Sequence, residues 1–264
     1  MPASLDQIVA ATRQKIAEVL RSADVRELEG RAEQHLPRGF RRALQARSET
    51  GPAVIAELKK ASPSRGLIRA DFNPVSLAEE LEAAGAAALS VLTDGEFFEG
   101  SLQNLQLASA ATQLPCLRKD FIVDEFQLLE ARASHADAVL LIVAALSQRD
   151  LETLAAKAKS YDLDVLCEVH DEKELDRALA GECNLIGVNS RDLRTFTVDL
   201  QTAFRLASLM PKNVLSVAES GIQNGKDIAL LRTAGYQAFL IGESLMKAPS
   251  PGDALRNLIA KADS

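Results

Sequence analysis

The run VIAEL at residues 54–58 is the first of eight short apolar stretches that share one arrangement along the chain. Each stretch is rich in β-forming residues, and each is followed by a polar loop and then by apolar residues at helical spacing. The others are 88–92 (ALSVL), 115–118 (PCLR), 138–143 (AVLLIV), 164–169 (DVLCEV), 185–188 (LIGV), 214–218 (NVLSV) and 238–241 (AFLI). Strands that alternate with helices pair in parallel through right-handed crossovers. The pattern therefore predicts an α/β protein with eight parallel strands and eight following helices.

Eight such units can close into a (β/α)8 TIM barrel or form an open doubly wound sheet. No G-x-G-x-x-G motif follows any of the runs, so the dinucleotide-binding form of the open sheet loses its main support. We therefore expect a closed barrel, with residues 1–264 forming one domain. Residues 1–47 precede the first run and carry apolar residues at helical spacing, which predicts an N-terminal helical extension.

Short polar and glycine signals suggest where some of the helices begin and end. Ser76 and Glu79 have the spacing of a capping box before an apolar helical stretch. Gly85, Gly181 and Gly235 follow helix candidates, where a left-handed residue commonly ends a helix.

Composition limits the classes of partner. The chain has 264 residues, of which 47% are hydrophobic and 25% charged, with a net charge of −7. It therefore has no general positive field for nucleic acid or an anionic membrane, and an anionic ligand needs a local positive site. No apolar run approaches the ~20 residues of a membrane span, so we expect a soluble protein. Cys116 and Cys167 lie in apolar runs, and with Cys183 they match no zinc pattern, which favours buried thiols in a reducing cytoplasm.

Ionisable or amide side chains end five of the eight runs, at Glu57 and Lys59, at Lys119, at Glu168, at Asn189 and at Glu219. In a barrel, the carboxyl ends of all strands meet at one mouth, where the active site forms. Glu57 and Lys59 are two residues apart and so point to the same face. Burying both costs several kcal/mol unless they are paired or functional, so a structural ion pair is the alternative to a catalytic one.

The loops after the seventh and eighth runs carry a separate signal. They contain Ser220-Gly221-Ile222 and Gly242-Glu243-Ser244. Many barrels bind phosphate there through backbone N–H groups and a short extra helix. Plain turn geometry is the alternative explanation of the glycines. Glu243 is an unexpected neighbour for a phosphate, so we expect its side chain to turn away and only its N–H to face the anion.

The three histidines are weak candidates for catalysis. His35 lies in the extension, His135 lies at a helix end, and His170 follows Glu168 in a loop. No metal-binding spacing of histidines and carboxylates occurs either, so we expect no metal site.

Several of these segments resemble those of the indole-3-glycerol-phosphate synthase family, over all eight runs and their loops. The segments are IAELKKASPS at 55–64, SVLT at 90–93, LRKDF at 117–121, EVH at 168–170, GVNSRD at 187–192, AESGI at 218–222 and LIGESLM at 240–246. The resemblance implies a carboxy-lyase of tryptophan biosynthesis that acts on 1-(2-carboxyphenylamino)-1-deoxyribulose 5-phosphate without a cofactor. It also implies that the N-terminal extension covers part of the barrel mouth and helps to exclude water.

The resemblance further implies catalytic roles for Glu57, Lys59, Lys119, Glu168, Asn189 and Ser220. Lys119 would act as a general acid at the ketose carbonyl oxygen, where negative charge develops. Lys59 would pair with the ring carboxylate that leaves as carbon dioxide, and Glu168 would be the base or proton shuttle. Glu57 would orient Lys119 and hold it charged.

The expected binding residues are Ser62, Phe98, Phe121, Arg191 and Glu219 for the substrate, and Gly221, Gly242 and Glu243 for its phosphate. The two phenylalanines would pack against the aromatic ring, and Arg191 would contact an anion or the ring. The phosphorylated small molecule is the only partner that we expect, with neither nucleic acid nor membrane, for a monomer in the cytoplasm.

Two other functions are compatible with the same fold. Lys119 could be the Schiff-base nucleophile of an aldolase, which borohydride trapping with a ketose phosphate would reveal. A non-catalytic barrel could bind a phosphorylated metabolite without turnover. The presence of all four proposed charged catalytic residues argues against the second of these alternatives.

Overall fold

A computed structural model describes residues 4–192 and 197–262, so the first three residues of the predicted extension lie outside it. The extension contains α1 (Leu5–Val19), α2 (Val25–Gln34) and α3 (Phe40–Ser48). The following elements are β1 (Ala53–Leu58), β2 (Ala61–Ser62), β3 (Gly66–Leu67), α4 (Pro74–Ala83), β4 (Ala88–Leu92), α5 (Gly95–Phe98), α6 (Leu102–Ala110), β5 (Cys116–Lys119), α7 (Glu125–Ala133) and β6 (Ala138–Ile142). After a 3₁₀ turn at Val143–Ala145 come α8 (Gln148–Ser160), β7 (Asp164–Val169), α9 (Glu172–Ala180), β8 (Leu185–Asn189), α10 (Gln201–Ala207), β9 (Leu215–Glu219), α11 (Gly225–Thr233), β10 (Ala238–Ile241), α12 (Glu243–Lys247) and α13 (Pro251–Ala262).

The sheet is a closed barrel with the strand order β1-β10-β9-β8-β7-β6-β5-β4. All neighbouring strands are parallel, and β1 closes the barrel by pairing with both β4 and β10. The predicted (β/α)8 barrel is therefore confirmed, and each predicted strand lies within one residue of its observed bounds. β2 and β3 form a separate antiparallel hairpin in the loop after β1.

Side-chain alternation divides the core into two layers. Val54 and Ala56 on β1 pack outward against the surrounding helices, whereas Ile55 packs inward with Leu117, Leu140 and similar residues of other strands. Successive strand side chains point to opposite faces, so a barrel strand covered by helices is buried on both sides. The same alternation directs Glu57 into the barrel, one layer above Ile55.

The N-terminal extension reaches both ends of the barrel. Leu5 and Ile8 of α1 line the cavity at the open end. Phe40 and Leu44 of α3 are fully buried in the inner cluster that includes the first residues of several strands, so α3 packs against the opposite end. None of the helices in the described ranges is long and apolar enough to cross a membrane.

Asp137 anchors the extension to the barrel. Its buried carboxylate accepts hydrogen bonds from Arg38 Nη2 at 2.7 Å and from the backbone N–H of Cys116 at 2.7 Å. Burial disfavours this carboxylate, but its hydrogen bonds to His35 and Arg38 outweigh burial and lower the pKa of Asp137.

Two of the helix-end expectations are wrong. Asn73 caps α4, and its side chain accepts from the backbone N–H groups of Val75 and Ser76, so Ser76 lies inside the helix. Proline at the first position of α4 sets the start earlier than the apolar pattern indicated. Gly85 and Gly235 have the expected positive φ, but Gly181 has a φ of −83°, and the next residue, Glu182, takes the left-handed conformation instead.

The cysteines differ from the expectation of free buried thiols. Cys116 is a free buried thiol, and burial raises its pKa to about 12. Cys167, however, is joined to Cys183 by a disulfide, with 6.5 Å between the Cα atoms. Cys167 points out of the barrel, and the turn after α9 brings Cys183 against it, which spacing in the sequence did not indicate.

Candidate active site

Charged and amide side chains from five strands converge at the open end of the barrel. Glu57 on β1, Lys119 on β5, Glu168 on β7, Asn189 on β8 and Glu219 on β9 all line one cavity of about 590 Å³. The three glutamates are almost completely buried, with Glu168 only 1% exposed. Buried charges are costly unless they are paired, so the pairing within this cluster determines its chemistry.

Every site residue predicted from the sequence lines this cavity. They are Glu57, Lys59, Ser62, Phe98, Lys119, Phe121, Glu168, Asn189, Arg191, Glu219, Ser220, Gly221, Gly242 and Glu243. The structure thus brings the whole set together, while the role of each residue stays a prediction.

Glu57 and Lys59 form an ion pair at the top of β1. Nζ of Lys59 lies 2.6 Å from Oε1 of Glu57, and the lysine side chain is 17% exposed, toward the cavity. Burial disfavours the Glu57 carboxylate, but the positive charges of Lys59 and Lys119 outweigh burial and lower its pKa. The pair is both a structural ion pair and a pair of groups that a ligand can reach.

Lys119 and Glu168 form a second ion pair in the cavity. Nζ of Lys119 lies 3.4 Å from Oε2 of Glu168. Burial favours the neutral form of each group, but their mutual attraction outweighs it, raising the pKa of Lys119 and lowering that of Glu168. Lys119 is therefore an ammonium and Glu168 a carboxylate at neutral pH.

Glu219 has the opposite electrostatic character. Burial raises its pKa well above the usual range, and the neighbouring charge of Glu168 raises it further. Its Oε1 has no hydrogen-bond partner within the part of the chain that the structure describes. Two adjacent carboxyl groups rarely ionise together, so Glu219 holds a proton while Glu168 is ionised.

The loops after β9 and β10 supply a glycine-bearing wall. Ser220 and Gly221 both have positive φ, at 60° and 81°. A Cβ at Gly221 would lie 2.7 Å from Val198, and a Cβ at Gly242 would lie 2.4 Å from Oε1 of Glu57. Gly242 is thus required for the close packing of its backbone on the Glu57 carboxylate, and its loop leads directly into the short helix α12.

Glu243 turns its carboxylate toward basic side chains at the rim. Its oxygens lie 3.1 Å from Nε of Arg65 and 3.6 Å from Nη2 of Arg191, and it also pairs with Lys247. These charges lower its pKa despite partial burial, which by itself raises it. Three cations therefore surround the start of α12 on the cavity side.

Apolar side chains form the remaining wall of the cavity. The rings of Phe98 and Phe121 lie 6.2 Å apart and are tilted by 37°. Leu5 and Ile8 of α1 complete this wall. A flat aromatic ring fits such a surface, while charged parts of the same ligand would face the opposite wall.

Several residues in or next to the site are not predicted from the sequence. Arg65 and Lys247 were not singled out, although Lys247 follows Glu243 at the i,i+4 spacing typical of helical ion pairs. His170 was set aside, yet its Nε2 lies 3.4 Å from Oε1 of Glu168. In residues 4–192 and 197–262, no group of three or more His, Cys, Asp or Glu side chains is arranged to hold a metal ion.

A closed parallel barrel with lysine–glutamate pairs and a cation-rimmed loop at its mouth defines a (β/α)8-barrel enzyme for a small phosphorylated substrate. The family model described as indole-3-glycerol phosphate synthase matches residues 5–258. The chain belongs to the indole-3-glycerol phosphate synthase family, and it is thus a decarboxylating lyase. The resemblance seen in the strand-end motifs is confirmed, and neither the aldolase nor the non-catalytic alternative is supported.

Relatives of the same description cover nearly the whole chain. The indole-3-glycerol phosphate synthase of Koribacter versatilis (strain Ellin345) is 58% identical over 98% of this chain and 100% of its own length. That of Acinetobacter baumannii (strain ACICU) is 48% identical over 97% of this chain and 96% of its own length.

Solved structures of distant sequence share the fold. Thiamine phosphate pyrophosphorylase from Pyrococcus furiosus superposes with a TM-score of 0.61 at 15% identity, covering 82% of this chain and 97% of its own. KGPDC from Streptococcus mutans superposes with a TM-score of 0.63 at 9% identity, covering 81% and 98%. At these identities the likeness concerns the barrel alone.

Proposed function

We propose that this chain converts 1-(2-carboxyphenylamino)-1-deoxyribulose 5-phosphate into indole-3-glycerol phosphate, with loss of carbon dioxide and water. An aromatic carbon attacks the ketose carbonyl to close the ring, after which the carboxylate and a hydroxyl leave. The observation that carries the proposal is the Lys119–Glu168 pair, which sets an ammonium beside a carboxylate in a buried cavity.

Lys119 is the general acid and electrostatic stabiliser at the carbonyl oxygen. Its raised pKa keeps the ammonium form at neutral pH, so a positive charge is in place as the oxygen becomes negative. The same charge state makes Lys119 a poor amine nucleophile, because Schiff-base formation needs the unprotonated amine.

Lys59 holds the ring carboxylate before it leaves as carbon dioxide. It already faces one carboxylate, Glu57, at 2.6 Å. A second carboxylate arriving from the substrate would share the ammonium, which has three donor hydrogens.

The benzene ring becomes aromatic again by losing carbon dioxide, and Glu168 accepts the proton that leaves the methylene carbon next to the nitrogen when the new five-membered ring loses water. The lowered pKa of Glu168 keeps it in the ionised form that a proton acceptor needs, and the protonated neighbour Glu219 leaves the negative charge on Glu168. Asn189 and Ser220 lie on the same side of the cavity, where they would hydrogen-bond hydroxyl groups of the substrate chain.

The phosphate binds between the loops after β9 and β10. Backbone N–H groups at Gly221, Gly242 and Glu243 would donate to its oxygens, and the start of α12 adds its dipole. Arg191 lies on the same rim and would add charge. Ser62, Phe98 and Phe121 would hold the aromatic end of the substrate.

The chain acts as a monomer in the cytoplasm and binds no nucleic acid. The net charge of −7 supports the absence of nucleic-acid binding, because the chain has no general positive field. Light scattering after size-exclusion chromatography tests the monomeric state, and a mass of two or more chains would contradict it.

One assay tests the reaction. The purified chain is mixed with 1-(2-carboxyphenylamino)-1-deoxyribulose 5-phosphate, and the fluorescence of the indole product is followed with time. We expect stoichiometric conversion without added metal or cofactor. Substrate that stays unchanged with folded protein would refute the proposal.

A further inference from the structure

His170 lies directly after β7, in the turn that leads into α9, and its imidazole lies between two carboxylates. Nε2 is 3.4 Å from Oε1 of Glu168, and Nδ1 is 3.0 Å from Oε2 of Glu174. The backbone N–H of His170 also donates to Oε2 of Glu174, at 2.8 Å. One oxygen of Glu174 thus holds both the backbone and the ring of His170, and Nε2 lies within ion-pair distance of Glu168 without a hydrogen bond to it.

Glu174 is itself held in place. It lies in the first turn of α9, and its backbone N–H donates to Oδ1 of the capping residue Asp171 at 2.9 Å. The chain Glu174–His170–Glu168 therefore connects a rigid helix start to the carboxylate at the end of β7. Glu168 contacts Lys119 through its other oxygen, Oε2.

We propose that His170 is a positioning residue for the reaction, a cation that fixes Oε1 of Glu168 and keeps that carboxylate ionised while Oε2 serves Lys119 and the substrate. His170 acts through Glu168 and does not itself line the cavity. The proposal rests on the proposed role of Glu168 as the proton acceptor.

The surrounding charges explain why a cation is needed there. Glu168 faces Lys119 from β5, but it also faces the carboxyl group of Glu219 from β9, and both glutamates are buried. Without His170, the ammonium of Lys119 alone would stabilise the negative charge on Glu168 beside Glu219. The pKa of Glu168 would then be higher, and Glu168 would be protonated more easily.

The charges facing His170 favour its protonated form. They are Glu168 from β7 and Glu174 from α9. Burial lowers the pKa of the imidazole, but these two carboxylates outweigh it and raise the pKa to about 10. His170 is therefore a cation through the neutral range, whereas an ordinary histidine is mostly neutral there.

The first test needs no substrate. The imidazole resonances of the full chain are followed by ¹H–¹⁵N NMR from about pH 5 to about pH 9, and the His170 signals are assigned by their absence in His170→Asn. We expect His170 to stay protonated over this range in the wild type and to titrate within it in Glu174→Gln. Glu172→Gln is the matched control, because Glu172 lies in the same helical turn but pairs with Arg205. A wild-type His170 that titrates at the ordinary histidine pKa would overturn the proposal.

The second test is kinetic. We expect His170→Asn to lower kcat about tenfold, a fraction of a full acid–base contribution, with little change in KM. The acid limb of its pH–rate profile should move up by about one unit or more, because the loss of an opposite charge raises the pKa of Glu168. His170→Lys, which keeps the charge, should recover part of the loss, and Glu172→Gln should behave as wild type.

The two tests separate this inference from the proposed function. A pH–rate profile in His170→Asn identical to the wild-type profile would overturn the positioning role. If Glu168→Gln turns over normally, the proposed role of Glu168 fails instead, while the NMR titration still reports the charge state of His170.

Discussion

Nζ of Lys119 on β5 lies 3.4 Å from Oε2 of Glu168 on β7, although β6 separates the two strands in the barrel. Each residue is the last inward-facing residue of its strand. The curvature of the closed sheet therefore brings their side chains together across the mouth of the barrel. Each charge stabilises the other against burial. The acid and the base of the proposed reaction thus depend on one geometry.

Lys119→Met should abolish turnover while ligand binding persists. Removing a general acid costs about 10²- to 10⁴-fold in kcat, whereas the loops that bind the phosphate lie on other strands. Product formation measures the first effect, and calorimetric titration with indole-3-glycerol phosphate measures the second. Lys173→Met, on the exposed side of α9, is the control and should behave as wild type. A Lys119→Met enzyme with near-normal kcat would exclude the acid role.

Glu168→Gln should lower kcat far more than it raises KM. Glutamine keeps the shape of the side chain and can face Lys119, but it cannot accept a proton, so the loss falls on the chemical step. Steady-state kinetics at saturating substrate provide the measurement. A variant whose main defect is a higher KM would show that Glu168 serves binding.

Gly242→Ala should damage the site without unfolding the barrel. The new Cβ would lie 2.4 Å from Oε1 of Glu57, so the carboxylate or the loop must shift. Misplacement of about 1 Å can cost about 10²-fold in rate, and we expect a loss of that order in kcat/KM. Gly30→Ala is the matched control, because a Cβ there meets nothing within 4 Å. Equal kinetics of the two variants would contradict the close packing of Gly242 on Glu57.

Asp137→Asn should destabilise the fold by about 3 kcal/mol, because it leaves Arg38 without its buried charge partner. The pKa of Asp137 is lowered in the folded protein, so its stabilising effect is full above the unfolded-state pKa and is lost as pH falls through the folded pKa. The difference in unfolding free energy between wild type and variant should therefore shrink in acid. Urea titrations at neutral and acidic pH measure it, with Asp176→Asn as an exposed control. A difference that stays constant with pH would contradict the ionic origin.

Local sequence patterns predicted strands and helices well where their bounds depend only on residues close together in the chain. The run at 164–169 was bounded correctly because buried parallel strands are short apolar runs flanked by polar loops. The start of α4 was misplaced because Asn73 and Pro74 outrank the S-x-x-E pattern at Ser76 as helix-start signals. The end of α9 was also predicted wrongly, because Glu182, and not Gly181, adopts the left-handed conformation there.

The membership of the site was also foreseeable, because strand-end residues of one barrel must share a mouth. Which of these residues pair with one another could not be predicted from the sequence. Nothing in the sequence showed that His170, which pairs with Glu174, would also lie against Glu168. Arg65 reaches Glu243 only through the hairpin formed by β2 and β3.

The sequence alone determined that eight strands alternate with helices and which polar residues end them, because burial and alternation act over a few residues at a time. Only the tertiary structure decided which charges neutralise which, that Glu219 keeps a proton beside an ionised Glu168, and that Cys167 meets Cys183. Barrel closure sets the distances between the charged residues of different strands, whereas the turn after α9 brings Cys183 against Cys167.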